Sequence, residues 1–360
     1  MRIIREGLAK IYTDDVFYNP RMKFCRDLDI ILFSVIDGDE YLDALAATGV
    51  RGIRAKLEAG LNPIFNDRDV KAVEIIKKNL KLNNMEAEVY NKDASALMYE
   101  KKFLHIDIDP FGSPSQFIDA ACFSSRKYLS MTATDTAALC GSAVNAGLRK
   151  YSAYVEKIQC YPEVGVRVLI GKIAREVTKY KKGINVLVCW TKEHYYRVHV
   201  EVKKGSSYVK KTLDRIGYLF YCRSCYFMNW KNLVEASTND IKCRCGKGMR
   251  IIGPLWIGEL HTKDIVKTMQ EKINKFKFEK ETKKEIENLL GRIYNEINTP
   301  FYYNLHKLAA VAGVSCPSIS RVIEMLEKEG FKASRCRFDG NGIKTNAAAI
   351  EIVDLMKKHF

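Results

Sequence analysis

The sequence predicts an α/β protein: a doubly wound, Rossmann-like domain, then a small cysteine-bearing module and a mainly helical C-terminal region. Three observations carry this. From about residue 40 short apolar runs alternate with helix-length segments, acids stand at four successive run ends, and near residue 217 clustered cysteines, aromatics and glycines replace helical period. The expected divisions are 1–216, 217–258 and 259–360.

In chain order, "EYLDALA" leads into "GVRGIRAKLEAG", "PIFNDRD" into "VKAVEIIKKNLKLNN", and "EAEVYNKDASALM" follows. Then "FLHIDIDPFGSP" leads into "SQFIDAACFSS", with "KYLSMTATDT" next. Such runs joined by right-handed crossovers make a parallel sheet flanked by helices. "GINVLVCW" and the alternating "YYRVHVEVKKG" read as late strands of the same sheet. Beyond residue 262 comes a Lys/Glu-rich helical stretch, and "NLHKLAAVAGVSCPSISRVIEMLEKEGF" reads as helix, Gly-containing turn, helix.

Composition narrows the class of partner. With 59 Lys and Arg against 43 Asp and Glu, the formal charge is +16, which suits either a polyanion such as nucleic acid or a Lys-rich solvated surface. "MRIIREGLAKIYTDD" lacks the apolar core of a signal peptide, and no segment approaches the roughly 18 apolar residues of a membrane span. A cytoplasmic chain without membrane contact is expected. In a reducing compartment the scattered cysteines read as small core residues and the four between 222 and 245 as metal ligands.

Ligands of open α/β sheets bind outside the carboxyl ends of the strands. The first such turn, "LDALAATGVRG", has no G-x-G-x-x-G, so a dinucleotide is poorly supported. A small-residue turn carrying Asp43 better suits S-adenosylmethionine, whose zwitterionic end needs close main-chain approach without a phosphate cradle. Asp67 ends the second run, where an acid accepts ribose hydroxyls. Asp93, followed by Ala94, ends the third, where a carboxylate can accept an adenine amine. Either acid could instead cap the helix after it.

The fourth run ends in D-P-F-G, of the same kind as the acid/amide-Pro-Pro-aromatic motifs of amino-methyltransferases. A nucleobase amine is a poor nucleophile because its lone pair is delocalised. Asp109 and the Pro110 carbonyl can accept its N–H bonds, while Pro110 and Gly112 shape the turn and Phe111 offers a face to an unstacked base. Asp107 reads first as a structural carboxylate, and Asp135 stays open between pocket wall and helix cap.

These stretches, with "VFYNPRMKFCRDL", "CYPEVGVRVLIGKIARE", "GPLWIG" and "GFKASRCRFDGNGIKTN", resemble the archaeal-type tRNA (guanine-N2) dimethyltransferases over nearly the whole chain. The resemblance implies S-adenosylmethionine contacts from Arg26, Arg51, Asp67, Asp93 and Ala94, and Asp109 as the catalytic carboxylate acting on the guanine at tRNA position 26. Cys222, Cys225, Cys243 and Cys245 can complete a closed, structural zinc shell, although the second pair is C-x-C where C-x-x-C is commoner. The C-terminal region reads either as a winged-helix-like unit that recognises nucleic acid or as a segment packed against the catalytic domain; helical period alone favours packing, and the basic run with Lys332, Arg335, Arg337 and Lys344 shifts the expectation towards tRNA contact. A monomer is expected. Two rival readings are a DNA adenine-N6 methyltransferase and a non-catalytic zinc and helix-turn-helix regulator.

Overall fold

Residues 40–204 build one seven-stranded sheet. Its strands are β1 (Glu40–Asp43), β2 (Asn62–Asn66), β3 (Val89–Tyr90), β4 (Phe103–Ile108), β5 (Ser125–Ala133), β6 (Lys182–Lys192) and β7 (Tyr195–Lys204). The computed structural model describes residues 3–13, 16–236 and 241–360. Strand order is β3-β2-β1-β4-β5-β7-β6, so the winding direction reverses between β1 and β4. There the carboxyl ends of two parallel strands part, and Asp43 stands in register with Asp107.

The sheet is mixed, where the sequence suggested a parallel one. β7 runs antiparallel to both β5 and β6 because only Glu193 and His194 separate β6 from β7, and so short a link can make only a hairpin.

Helix α1 (Lys23–Phe33) precedes β1, and four helices fill the early crossovers: α2 (Val50–Ala59), α3 (Val70–Leu82), α4 (Ala94–Glu100) and α5 (Ile118–Ser124). α4, α5 and the helix Tyr161–Thr178 share the main apolar core with the inner strands. α2 and α3 enclose Ala9 and Ile11 of an N-terminal hairpin (Ile3–Glu6 with Ala9–Tyr12), which closes the opposite face. α1 is buried along nearly its whole length because a further helical pair, Lys263–Lys272 and Lys280–Asn295, covers it. Val266, Met269, Ile286 and Leu290 of that pair pack with Leu28 and Ile31 of α1 and Trp190 of β6. Residues 263–295 therefore share a core with the large sheet.

A second, antiparallel sheet joins Ile216–Tyr221, Met228–Asn232 and Arg250–Trp256. It leans on the helix Tyr161–Thr178, where a Cβ at Gly171 would come within 2.9 Å of Leu255 Cα, so only glycine allows that approach. The last segment holds the helices Leu305–Ala312, Ile319–Lys328 and Ala349–His359 with a small sheet of Tyr303–Asn304, Ala333–Arg335 and Gly342–Thr345. No helix among the described residues is long and apolar enough to cross a membrane.

Candidate active site

The reversal point opens into a cavity of about 860 Å³, lined among others by Asp43, Asp67, Asp93, Asp109, Arg26 and Phe111. A volume of this order accommodates a nucleoside-sized cofactor. All four acids named from strand ends border it, as do Arg51, Ala94 and Pro110.

Each acid has a distinct environment. Asp43 is fully buried, and burial with the nearby Asp107 and Asp109 charges pushes its carboxyl well above the usual range. It accepts the Gly52 amide at 3.2 Å. Asp67 accepts the Ala47 amide at 2.9 Å and the Asp69 amide at 3.0 Å, which ties the end of β2 to the turn after β1. The N-cap of α3 is Asp69, so Asp67 is free of the capping role. Asp93 does cap α4, through one oxygen that takes the Ser95 and Ala96 amides. Its other oxygen lacks a protein partner among the described residues and borders the cavity.

Arg26 reaches the cavity from α1 with its guanidinium already paired, Nε and Nη2 bonding Glu6 at 2.6 and 2.5 Å. Burial alone would raise the Glu6 carboxyl, but Arg26 and Arg54 bring it down to about 2. Arg51 ties Asp29 to Asp109, one side-chain nitrogen to each.

Behind Arg51 lies a polar network inside the protein. Arg197 clamps Asp107 with two bonds of 2.7 Å and Asp29 with bonds of 3.0 and 2.9 Å. Tyr41 donates to Asp107 at 2.8 Å, and His199 Nε2 lies 3.1 Å from Asp29. Asp107 is thus buried and fully paired, as a structural carboxylate is, and lies behind Asp109 in the same network. Asp109, two residues on, keeps 23% of its side chain exposed to the cavity.

The turn after Asp109 is held open. Gly112 has φ +92°, a left-handed conformation that favours glycine, its amide donates to Thr134 Oγ1 at 2.9 Å, and its carbonyl accepts the Thr134 amide at 2.8 Å. Phe111 is consequently thrust outward, 92% exposed. Phe17, 61% exposed, faces it edge-on at 6.1 Å between ring centres. Asp135 lies outside the cavity lining and accepts from Lys150 Nζ and the Tyr151 hydroxyl, bracing the turn through Ser113.

Sequence reasoning missed Phe17, Glu6, Asp29 and Arg197. Only Arg197 left any signal: in "YYRVHVEV" it, His199 and Glu201 share one face of a strand whose other face is apolar. The reading of the closing basic run needs correction. Lys332 and Arg335 are exposed, but Arg337 and Lys344 are buried in ion pairs with Glu296 and Glu163 and cannot reach RNA.

About the small sheet, the Sγ atoms of Cys222, Cys225, Cys243 and Cys245 all lie within 4.8 Å of one another. That spacing fits a tetrahedral thiolate shell, in which each zinc–sulfur bond is about 2.3 Å. The C-x-C pair reaches it because the chain folds back at Gly246, with the Cys243 amide on the Lys247 carbonyl.

A mixed sheet in this order, with acids at successive strand ends around one cavity, is the architecture of the Rossmann-like, S-adenosylmethionine-dependent methyltransferases. The chain belongs to the N2,N2-dimethylguanosine tRNA methyltransferase family, whose model matches residues 2–357. A curated relative from Archaeoglobus fulgidus, named tRNA (guanine(26)-N(2))-dimethyltransferase, is 45% identical over 98% of both chains. One of the same name from Methanoregula boonei is 38% identical over 96% of this chain and 91% of its own. Among solved structures, Trm1 from Pyrococcus horikoshii in complex with S-adenosyl-L-methionine superposes with a TM-score of 0.90 at 32% identity, covering 99% of each chain.

Proposed function

We propose that this protein transfers one or two methyl groups from S-adenosylmethionine to the exocyclic N2 amine of the guanine at tRNA position 26. The observation that supports it most directly is the half-open Asp109 carboxylate beside two exposed aromatic rings at the mouth of a cofactor-sized cavity.

When bound, the cofactor supplies an electrophilic methyl group on a sulfonium. Asp67 would hold the ribose hydroxyls and Asp93 the adenine amine with Ala94 alongside, and Arg26 and Arg51 would face the methionine end. The guanine leaves its stack and lies against Phe111 and Phe17, since two exposed rings bind a base face without reading its sequence. Asp109 and the Pro110 carbonyl accept the N2 hydrogens and aim the nitrogen lone pair at the methyl group. Formation of the N–C bond would break the methyl–sulfur bond and leave the cofactor as its neutral thioether, while Asp109 takes the amine proton and passes it to water. Rotation about the C–N bond presents the remaining hydrogen for a second transfer.

In this reading residues 1–216 form the methyltransferase domain, 217–258 a zinc module held by Cys222, Cys225, Cys243 and Cys245, and 259–360 a C-terminal region whose helical pair 263–295 packs on the methyltransferase core and whose last segment is winged-helix-like and binds tRNA. Lys332 and Arg335 are its exposed contacts to tRNA. The protein acts as a monomer in the cytoplasm.

Labelled methyl groups should enter bulk tRNA and be recovered as N2-methylguanosine and N2,N2-dimethylguanosine. Incorporation into duplex DNA as N6-methyladenine would favour the rival DNA enzyme, and none into either would favour the non-catalytic regulator. Asp67→Ala should weaken cofactor binding by calorimetry on the order of ten-fold or more, the value of hydrogen bonds to a charged group; unchanged affinity would remove Asp67 from the ribose. Chelation of the metal should lower the melting temperature by several degrees while single-turnover methylation at low temperature persists, because a closed thiolate site contributes to folding and not to chemistry. Equal melting with and without metal would count against a structural zinc.

A further inference from the structure

Arg337 and Lys344 were expected on the RNA-facing surface and are found inside, where Lys344 meets Glu163 of the catalytic half of the chain and Arg337 meets Glu296. Lys344 donates to Glu163 Oε1 at 2.9 Å and to the Thr299 carbonyl at 3.0 Å. Glu163, on the helix Tyr161–Thr178, takes Arg167 at 2.8 Å on the same oxygen and the Phe301 amide at 2.8 Å. Arg167 in turn lies 5.0 Å from the Phe301 ring centre and bonds the carbonyls of Trp256 and Gly258 at 2.9 Å. Arg337 pairs with Glu296 at 3.5 Å and reaches Cys189 of β6 and the Leu260 carbonyl at 3.4 Å. At the edge of this seam the Asn304 amide donates to Gln159 at 3.1 Å.

Five charged side chains, Glu163, Arg167, Glu296, Arg337 and Lys344, are therefore buried where the last segment meets the large sheet. Buried ion clusters contribute little net stability compared with apolar packing, since desolvation offsets their attraction. What they impose is geometry: each charge must meet its partner, so other dockings leave a charge buried alone. The exposed Lys332 and Arg335 belong to the segment on one side of this seam and Asp109 follows a strand of the sheet on the other, so that constraint has a use.

We propose that Lys344 and Glu163 are specificity-determining residues: their buried pairing holds the C-terminal segment at one fixed distance from the cavity, so that only one guanine of the bound tRNA reaches Asp109. The proposal rests on the tRNA reading above. The seam works as a ruler. Loosening it lets neighbouring positions enter without altering the groups that hold the cofactor.

The test uses the full chain with Lys344→Met, which removes the charge at similar length and leaves Glu163 paired with Arg167. Methylation rates are compared on a transcript with guanine at position 26 and on transcripts with the only accessible guanine moved one nucleotide to either side. The shifted-to-correct rate ratio should rise on the order of ten-fold, because displacements of about 1 Å at a reacting centre change rates by orders of magnitude. Cofactor affinity should stay at the wild-type value, and hydrogen exchange at the Phe301 and Asn304 amides should quicken. A ratio that stays unchanged while exchange quickens overturns the proposal, as does an exchange rate that does not move. If Lys344→Met does not fold, Gln159→Ala loosens the same seam without touching a charge and must raise the ratio by at least about two-fold for the proposal to stand. A wild-type chain that methylates no tRNA guanine would instead refute the functional reading, and the exchange measurement would still report on the seam.

Discussion

Asp109→Ala should cut single-turnover methylation of tRNA by roughly two or more orders of magnitude, the scale of a lost positioned proton acceptor, while leaving cofactor and most tRNA affinity in place. The carboxylate is the most exposed member of its polar network, with 23% of its side chain exposed and Arg51 at its back. On the proposed mechanism the guanine amine would meet it only after leaving the stack, so binding should depend on it far less than chemistry does. Both transfers should slow together, since the same acceptor serves the first N–H and, after rotation, the second. A variant that methylates at nearly the wild-type single-turnover rate, or that slows only the second transfer, would show that the DPFG turn is not the catalytic centre.

Arg197→Met should destabilise the fold by about 3–5 kcal/mol, the cost of leaving buried carboxylates unpaired. Asp29 and Asp107 are both almost fully buried, and each loses two hydrogen bonds in the variant. The loss should depend on pH with a definite sign. In the wild-type protein, burial would raise the Asp107 carboxyl, but Arg197 and Arg51 hold it well below its usual range. That stability is present above the unfolded carboxyl's pKa, near 3.9, and is lost as pH falls towards the lower folded value. Without Arg197 the folded pKa should rise above the unfolded one, so protonation stabilises the variant as pH falls. Denaturant melts at pH 7 and pH 4.5 should therefore show a smaller difference between the two proteins at the lower pH. A difference that is constant or grows would mean that Arg197 is not the counter-charge holding these two acids.

Much of the site was legible because its parts lie at positions that local pattern defines. Asp43, Asp67, Asp93 and Asp109 follow short apolar runs, and a parallel sheet brings such run ends to one edge whatever lies between them. The four cysteines were legible for a similar reason, since thiolates at ribbon spacing have few uses in a reducing compartment. The DPFG turn announced its conformation through Pro110 and Gly112, and Asp109 stands at the cavity where the sequence placed a candidate carboxylate. Phe17 was less accessible: nothing near it in the chain says that it will stand 6.1 Å from Phe111.

The amino-acid sequence alone determined the alternating fold, the acids at its strand ends, the thiolate module and the turn that bears the candidate catalytic carboxylate, because each is a matter of period, spacing or backbone restriction within a few residues. Only the tertiary structure decided what the charged side chains do. Arg197 meets Asp29 across 168 positions, Lys344 meets Glu163 across 181, and Arg51 holds Asp109 from 58 away. A basic residue in a polar stretch looks the same whether it faces solvent or a buried acid. Its burial is settled by packing between distant segments, and in the interior a charge persists only where a partner has been brought to meet it.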